Sequence, residues 1–536
     1  MKHGGLSFHH PVAFWIGCAL IVAGVFSHMP MFMMGQHTHW QMVGMPMTTE
    51  MWVGMAIIPL GLALSAYGVM PRVAQLREAM RGDAGRLHFH VADGVPLNIE
   101  HWKLVAVLMV ALAVDVMKPA TLGFVMPGMS AEYGIPKPTA SLLALVALTG
   151  TTVGSVVWGR VADLFGRRAA ILLGALMFIG TAICGAMPAF EWNLAMCFLM
   201  GASAGGLLPI TFTLMAETVP AAHRGWLLVA LGGIGTSAGY LLAAGAAATL
   251  GEMFSWRVLW LLGLPTGALI VFLYRFIPES PRFLSNVGLA EQARAVLRKF
   301  SGDAYAAVER DDSAHPGAPV IDDQHPVAGA RQLLRGRHAG ISWGLLTAGV
   351  AWGLANFGFL LWLPVNLTEL GIDPKATSAL LAKSALLALP GIGVVIWLYH
   401  RWSSFRSLVL FIALTALSLL AFAAMGWLQM RSNALIVACT VSLLVTISGV
   451  IAMLIPYAAE IYPVHLRGTG SGVIAASSKA GGILGAGLGV MGFFGHFALS
   501  ALLIAMPMLV ACALLLRSGV ETRGRRLEEI EQAMAE

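Results

Sequence analysis

The chain alternates long apolar runs with short polar joints. Two apolar runs come first, at about 11–32 and 51–69, and six more follow at about 102–127, 139–162, 169–188, 192–216, 226–250 and 257–277. A polar stretch from Pro278 to His338 then intervenes, with an amphipathic piece around Glu291 to Phe300 and a Pro/Asp/His-rich linker from Asp311 to Pro326. Six further runs follow at about 341–364, 377–399, 407–427, 433–459, 469–494 and 497–516, and the tail from Arg517 is charged. Runs of roughly 20 apolar residues match the thickness of a bilayer as helices, and the strand alternation of outer-membrane barrels is missing. The pattern predicts about fourteen membrane-spanning helices in groups of two, six and six, an all-α polytopic membrane protein. The first run is too long for a cleaved signal and has no small-residue cleavage site after it, so no leader is expected.

Composition sharpens this reading. Hydrophobic residues make up 58% of the chain and charged ones 11%, and the mean hydropathy is +0.77. Soluble domains hold roughly 45–50% apolar residues. The formal charge of +6 therefore reads as topology and not as a nucleic-acid surface. Arg72, Arg77, Arg81 and Arg86 follow the second run, and the segment between the first two runs has no Lys or Arg. Positive residues stay on the cytoplasmic side, so that segment should be external and both termini cytoplasmic, Lys2 included, as in a bacterial inner-membrane protein. The expected divisions are 1–71 (two extra helices with a Met/His-rich external loop), 72–100 (a cytoplasmic linker), 101–277 (a first six-helix bundle), 278–340 (a cytoplasmic central loop), 341–516 (a second bundle) and 517–536 (a cytoplasmic tail). Cys18, Cys184, Cys197, Cys439 and Cys512 all fall in apolar runs without metal-type spacing, which argues against disulfides and thiolate metal sites.

The two sets of six runs share a signature. Ala216 to Gly225 and Ala459 to Gly468 both read A-E-x-x-P-x-x-x-R-G, each at the end of the fourth run of its set. Parallel repeats of this kind are the plan of rocking-bundle transporters, with a substrate site between the halves at mid-depth. Glu217 and Arg224, and Glu460 with Arg467, are the charged members of the two copies. Gly159 to Arg168, just past the second run of the first set, carries Asp163, Gly166, Arg167 and Arg168, and Pro278 to Leu284 reads P-E-S-P-R-F-L. The first of these segments resembles a loop of the major facilitator superfamily, and the resemblance implies a gate. Gly159 permits close helix approach, and Asp163 can pair with the arginines or with a helix N-terminus. For some of the arginines a purely topological role stands beside the gating one.

Taken together, these motifs over about residues 101–516 resemble the major facilitator superfamily. The resemblance implies two six-helix bundles of that fold plus two extra N-terminal transmembrane helices, and transport by alternating access. Gly123 to Pro127, Gly201 to Pro209 and Leu361 to Pro364 look most like the metabolite:proton symporter branch, which includes aromatic-acid and nicotinate carriers and relatives of synaptic vesicle protein 2. Aromatic-acid carriers show two acids in the first helix of the bundle. Here Asp115 matches the first and Lys118 replaces the second, Cys197 stands where an Arg is usual, and Arg401 stands where the second gating loop should carry an acid.

Asp115 and Lys118 are the ionisable residues that weigh most. A charge at mid-bilayer costs roughly 2.5–3.5 kcal/mol on insertion scales, so such side chains turn to a bundle interior or an aqueous cavity. Being three apart on one helix face, the two can simply neutralise each other, or they can serve a substrate. Pro119, the next residue, favours a kink and frees a backbone carbonyl. Lys479 lies about ten residues into a run of the second set and is expected to face Lys118, whereas Lys383 sits near a run's end, where a snorkelling role is equally open. Two mid-depth lysines against one carboxylate favour a small anionic substrate. Asn356, Trp352, Trp362 and Thr211 are candidate hydrogen-bonding and aromatic wall residues, with packing as the alternative for the aromatics. His37, His39, Met45 and Met47 belong to a Met/His-rich segment whose soft ligands suit Cu(I), though Met is also common apolar filler. No cofactor is expected, and the absence of a nucleophile–base pair, paired carboxylates or a phosphate loop argues against an enzyme. The leading expectation is a proton-coupled secondary carrier of a small organic anion in a lipid bilayer. Its rivals are a copper-handling protein, a drug or waste exporter, and a non-transporting sensor.

Overall fold

The computed structural model describes residues 10–70, 94–286, 289–302, 333–334, 339–369, 371–430, 432–462 and 464–522. Fourteen helices among them are long and apolar enough to cross a membrane: α1 Pro11–Thr38, α2 Thr49–Val69, α3 Ile99–Tyr133, α4 Lys137–Phe165, α5 Arg167–Ala186, α6 Phe190–Thr218, α7 Ala221–Phe254, α8 Val258–Phe276, α9 Ala339–Thr368, α10 Pro374–Arg401, α11 Ser404–Trp427, α12 Asn433–Ile461, α13 Gly470–Val490 and α14 Phe497–Ser518. The number and order follow the hydropathy pattern. Lys2, Arg72, Arg77, Arg81 and Arg86, the Asp311–Pro326 linker, the tail beyond Thr522 and the side chain of Arg467 lie outside the described residues.

Local chemistry sets the helix starts. Asp373 accepts hydrogen bonds from the backbone N–H of Lys375 (3.0 Å) and Ala376 (3.4 Å) ahead of Pro374 at the first turn of α10, and Ser403 accepts from Arg406 N–H (2.8 Å) at the start of α11. Both satisfy donors that a helix N-terminus leaves unpaired. Two boundaries differ from the hydropathy reading. α3 extends over 35 residues, beyond both ends of the apolar run, and helix continues through Pro119 and Pro127. The Met/His-rich segment is not wholly a loop: Met29–Met34 is α-helical and Gly35–Thr38 forms a 3₁₀ turn, both prolonging α1. Met is a good helix former, and Met31 and Phe32 bury their side chains there, so the helix runs on until His39 adopts φ 53°.

Packing divides the chain into two compact units. The first comprises the described parts of Met1–Asp115, Val153–Leu227 and Trp260–Asp323; the second comprises those of Val116–Thr152, Leu228–Leu259 and Gln324–Glu536. α3, α4 and α7 each contribute to both.

In the first unit α1 and α2 form a tight pair. A Cβ on Gly61 would lie 2.7 Å from the Gly17 carbonyl, and one on Gly24 would lie 2.8 Å from the Gly54 carbonyl. Small residues let two backbones approach where lipid offers no hydrophobic drive to associate. The pair packs on α5. Trp15 meets Tyr274 with ring centroids 6.1 Å apart, and Trp52 meets Trp192 at 5.9 Å. From Ala169 to Pro188 every residue except Met177 is buried, as befits a helix that is apolar all round. The expected amphipathic piece is the helix Ala290–Ser301, docked on the start of α3 by Lys299 to Glu100 (2.9 Å) and by Asn98 Nδ2 donating to the Phe300 carbonyl (2.7 Å).

In the second unit, helices of the two sets of six spans meet directly. Gly123 of α3 abuts the Leu361 carbonyl of α9, leaving no room for a Cβ, and a Cβ on Gly233 of α7 would meet Ile392 of α10 at 2.7 Å. Ser237 of α7 and Ser448 of α12 share a hydrogen bond of 3.1 Å. Beyond the end of α3, Arg257 is fully buried and holds Glu132 through Nη2 (2.7 Å) and Nε (3.1 and 3.2 Å), while Trp256 Nε1 donates to the same carboxylate at 2.9 Å. A buried pair with this many hydrogen bonds offsets its own desolvation.

Candidate functional site

Asp115 and Lys118 lie near the middle of α3 and are both buried, 6% and 2% exposed. Leu112, Val114, Met117 and Leu122 around them are buried as well, so the acid and the base are set into an apolar helix without reaching bulk solvent. Pro119 has no N–H to donate to the Asp115 carbonyl one turn back, which adds a second acceptor at the same residue. α9 carries a π-helical segment over Leu354–Leu360 that includes the half-buried Asn356. Such segments concentrate at functional positions because the wider turn re-aims side chains. Next to it, α9 and α13 are in backbone contact, with Gly353 and Gly481 leaving no space for a Cβ, and half-buried Lys479 lies two residues before Gly481. Trp352 is buried, and its indole N–H is taken by the Ile447 carbonyl at 2.9 Å. Thr211 likewise spends its hydroxyl on the Leu208 carbonyl. Lys383 is exposed.

The gating motif builds a second cluster, within the first unit. Gly166 sits at φ 103°, a conformation that favours glycine, and a Cβ there would also run into the Glu279 carboxyl carbon at 2.7 Å. Glu279 caps α5, its two oxygens accepting the backbone N–H of Arg167 (2.8 Å) and Arg168 (3.2 Å). Arg167 Nη2 reaches Glu217 at 3.3 Å and its guanidinium lies 5.8 Å from the Phe283 ring; Arg168 stands 5.0 Å over Tyr274. Burial pushes the Glu279 carboxyl up to about 7, against the lowering effect of the N–H groups of Ser280, Arg167 and Arg168 and of the Arg167 charge.

Asp163 is 76% exposed and pairs with Arg167 at 3.9 Å, while the Arg167 guanidinium comes nearer to Glu217, at 3.3 Å. One expectation about this motif needs correcting. Gly159 does not bring helices together, since a Cβ there meets nothing within 4 Å; the close approach along α4 is at Gly154, against the Ala202 backbone. Arg224 donates to the Val219 carbonyl at 3.3 Å.

The second half repeats the cap with different residues. Glu521 accepts the Ser404 N–H at 3.0 Å and the Ser403 hydroxyl at the start of α11, Tyr457 donates to the Val520 carbonyl at 2.7 Å, and Glu460 accepts from Thr522 at 2.7 Å. Glu279 and Glu521 each stand three residues past the last span of their set, after Phe276 and Ser518. Neither acid was singled out from the sequence. The repeat of an acid at that offset, together with the matched A-E-x-x-P copies, is the signal that marks them.

Residues 105–486 match the model of the Major Facilitator Superfamily. The chain belongs to that superfamily. As a superfamily member it is a multi-pass membrane transporter, not an enzyme. It is 27% identical over 448 residues to the niacin transporter NiaP of Acinetobacter baylyi, covering 82% of this chain and 98% of the relative. It is 26% identical over 430 residues to a gallate transporter of Pseudomonas putida, covering 78% and 93%. Among solved structures it is similar to the proton:xylose symporter XylE, with a TM-score of 0.63, 18% identity, and 81% and 99% of the two chains covered. About a fifth of the chain thus has no counterpart in relatives that are themselves covered almost end to end, and the superfamily match begins only after α1 and α2.

His37 and His39 are exposed and Met45 and Met47 half-buried, whereas His28, Met31 and Met42 are buried. Among the described residues no three His, Cys, Asp or Glu side chains converge as for a metal ion.

Proposed function

We propose that the chain is a proton-coupled carrier of a small organic anion, with one-ring aromatic monocarboxylates as the first candidates, working by alternating access of residues 101–277 against 341–516 in a bacterial inner membrane with both termini cytoplasmic. The observation that carries this reading is the burial of Asp115 and Lys118 together near the middle of α3. The niacin and gallate transporters among its relatives support the substrate class. An anion entering beside Lys118 competes with Asp115 for the ammonium, and Lys479 on α13 adds a second cation for it. A carboxylate that loses its cationic partner in a low-dielectric site becomes easier to protonate. Substrate and proton then bind with positive coupling, which must be reciprocal, and that is the requirement for symport.

Uptake into proteoliposomes tests this directly. Wild type should accumulate a radiolabelled acid such as nicotinate or benzoate when the outside is acidic, and its affinity should rise as pH falls through the neutral range. Asp115→Asn should bind without that pH dependence and only equilibrate the substrate. Accumulation by the mutant against a gradient would leave Asp115 as no more than the structural partner of Lys118. Protection of cells from lipophilic toxicants without carboxylate accumulation would favour an exporter, binding without movement a sensor.

A further inference from the structure

Two charges at one end of the second unit suit neither of the helices that carry them. Glu252 stands in the last turn of α7, where the helix dipole disfavours an acid, and Lys375 follows Pro374 in the first turn of α10, where it disfavours a base. Each compensates the other: Lys375 Nζ reaches Glu252 Oε1 at 3.4 Å, and this ion pair joins the first set of six spans to the second. Asp373, two residues before Lys375, spends its carboxylate on the backbone N–H groups of Lys375 and Ala376. The same two helices meet again where a Cβ on Gly233 would lie 2.7 Å from Ile392. Gly233 to Glu252 spans roughly 28 Å of α7 and Lys375 to Ile392 roughly 26 Å of α10 at ~1.5 Å per residue, so the helices run antiparallel between two contacts of matching spacing. The ion pair stands at the edge of a crevice of about 150 Å³ whose walls come from both sets: Phe124 and Pro127 of α3 with Trp256 from the first, Pro364 and Thr368 of α9 with Ser378 of α10 from the second. Phe124 is less than two helical turns past Lys118.

We propose that Glu252 and Lys375 are a latch that positions α7 against α10, and that the crevice beside them is the route by which a substrate reaches Lys118 once the latch parts. Such parting rests on the proposed movement of residues 101–277 against 341–516, which is what separates an acid on one set from a base on the other. The side chains of Glu252 and Lys375 are 53% and 65% exposed. Water and salt therefore screen their attraction, and it shifts the balance between shut and open packing by only about two- to fivefold. A latch of this strength suits a carrier that has to open at every turnover. A buried pair would have to regain its full hydration each time, whereas this one exchanges its partner for water at little cost. The neighbouring contacts between the sets, Gly233 against Ile392, Gly123 against the Leu361 carbonyl and Ser237 with Ser448, carry no charge. Among these contacts the ion pair alone responds to ionic strength.

Ser378→Cys, in purified full-length protein whose five native cysteines are replaced, puts a thiol in the wall of the crevice. Its reaction with a maleimide should quicken about two- to fivefold in Lys375→Glu, where like charges face each other, keep the parent rate in Lys375→Arg, and return towards that rate when Glu252→Lys is added to Lys375→Glu. Raising salt from about 0.1 to about 1 M, which shortens the screening length from roughly 10 to 3 Å, should quicken the reaction in the parent and not in Glu252→Gln. A side chain that merely fills space gives neither the rescue nor the response to salt. In a second arm, Glu252→Cys and Lys375→Cys joined by a short bifunctional thiosulfonate should stop uptake of radiolabelled nicotinate, and reduction should restore it. The proposal is overturned if Lys375→Glu labels as the parent does, if the exchanged pair labels as the single variant does, or if salt acts equally on the parent and Glu252→Gln. It is overturned as well if the two cysteines do not cross-link, or if uptake persists in protein shown by mass spectrometry to be cross-linked. The salt series needs no charge reversal and decides the matter where Lys375→Glu does not fold. Labelling that behaves as expected in a protein that takes up no carboxylate would leave the latch standing and remove the substrate reading.

Discussion

At the scale of single residues, Glu279 carries the clearest consequence. Its carboxyl is buried against the N-terminus of α5 and titrates near 7 in place of 4.5, burial outweighing three backbone N–H groups and a nearby guanidinium. Below pH 4.5 the group is protonated whether folded or unfolded, and above 7 it is ionised in both. Between these values the folded state binds the proton more tightly, so its contribution to stability falls as pH rises. The stability of wild type relative to Glu279→Gln should therefore decline from about pH 4.5 to 7, by an amount on the order of 3 kcal/mol, and level off above. Thermal unfolding in detergent at a series of pH values measures it, and parallel curves for the two proteins would mean that Glu279 titrates normally. The acid in the gating loop that sequence makes conspicuous, Asp163, is by contrast exposed. Nothing in a one-dimensional motif says which of several acids at helix ends will point inward, and only the fold turns Glu279 towards Gly166.

At the scale of elements, α3 and α9 are in close backbone contact within the second unit. Gly123 leaves no room for a side chain against the Leu361 carbonyl, and in the same unit Ser237 of α7 is hydrogen-bonded to Ser448 of α12. Packed interiors respond to added volume by separating or by straining side chains, at a cost of typically 1–3 kcal/mol. Gly123→Leu is therefore expected to shift the population away from this packing and to slow transport more than it weakens the fold. A cysteine placed at Ser448 in a background free of other cysteines should react slowly with a membrane-impermeant maleimide, and several-fold faster once Gly123→Leu is added. Unchanged labelling together with normal transport would show that this contact does not move. The continuity of α3 through Pro119 belongs to the same scale. A proline removes one hydrogen bond but leaves its neighbours free to keep the helix, and the surrounding buried side chains hold it in line.

At the scale of the whole molecule, α1 and α2 stand apart from the superfamily match, which covers residues 105–486. They pack on α5, a helix that is buried over nearly all of its length. A chain beginning near residue 94 should insert and bind benzoate, because Asp115, Lys118 and the α9–α14 helices are kept. It should unfold at a lower temperature, since the apolar face of α5 then meets lipid in place of a helix pair joined through Gly17, Gly24, Gly54 and Gly61. A truncate that is folded and binds no ligand would place the pair inside the transport machinery.

The order and number of spans, the duplication of six helices and the depth of Asp115 and Lys118 were determined by sequence alone, because a bilayer admits little besides apolar helices about 20 residues long and any charge within one stands out against them. The motif around Gly166 was visible in the sequence, but which of its glycines needs to be one was not: Gly166 sits at φ 103°, which favours glycine, whereas a Cβ on Gly159 meets nothing. Tertiary structure decided the rest: that Glu279 and Glu521 cap α5 and α11, that Arg257 fixes Glu132, that Trp352 spends its N–H on a backbone carbonyl, and that Trp362 finds no partner for its own among the described residues. The apolar signal of a membrane helix is nearly uniform around its axis, so it sets where a helix starts and stops and says little about which face meets which neighbour. That choice lies in close-range packing and hydrogen bonding between residues far apart in the chain.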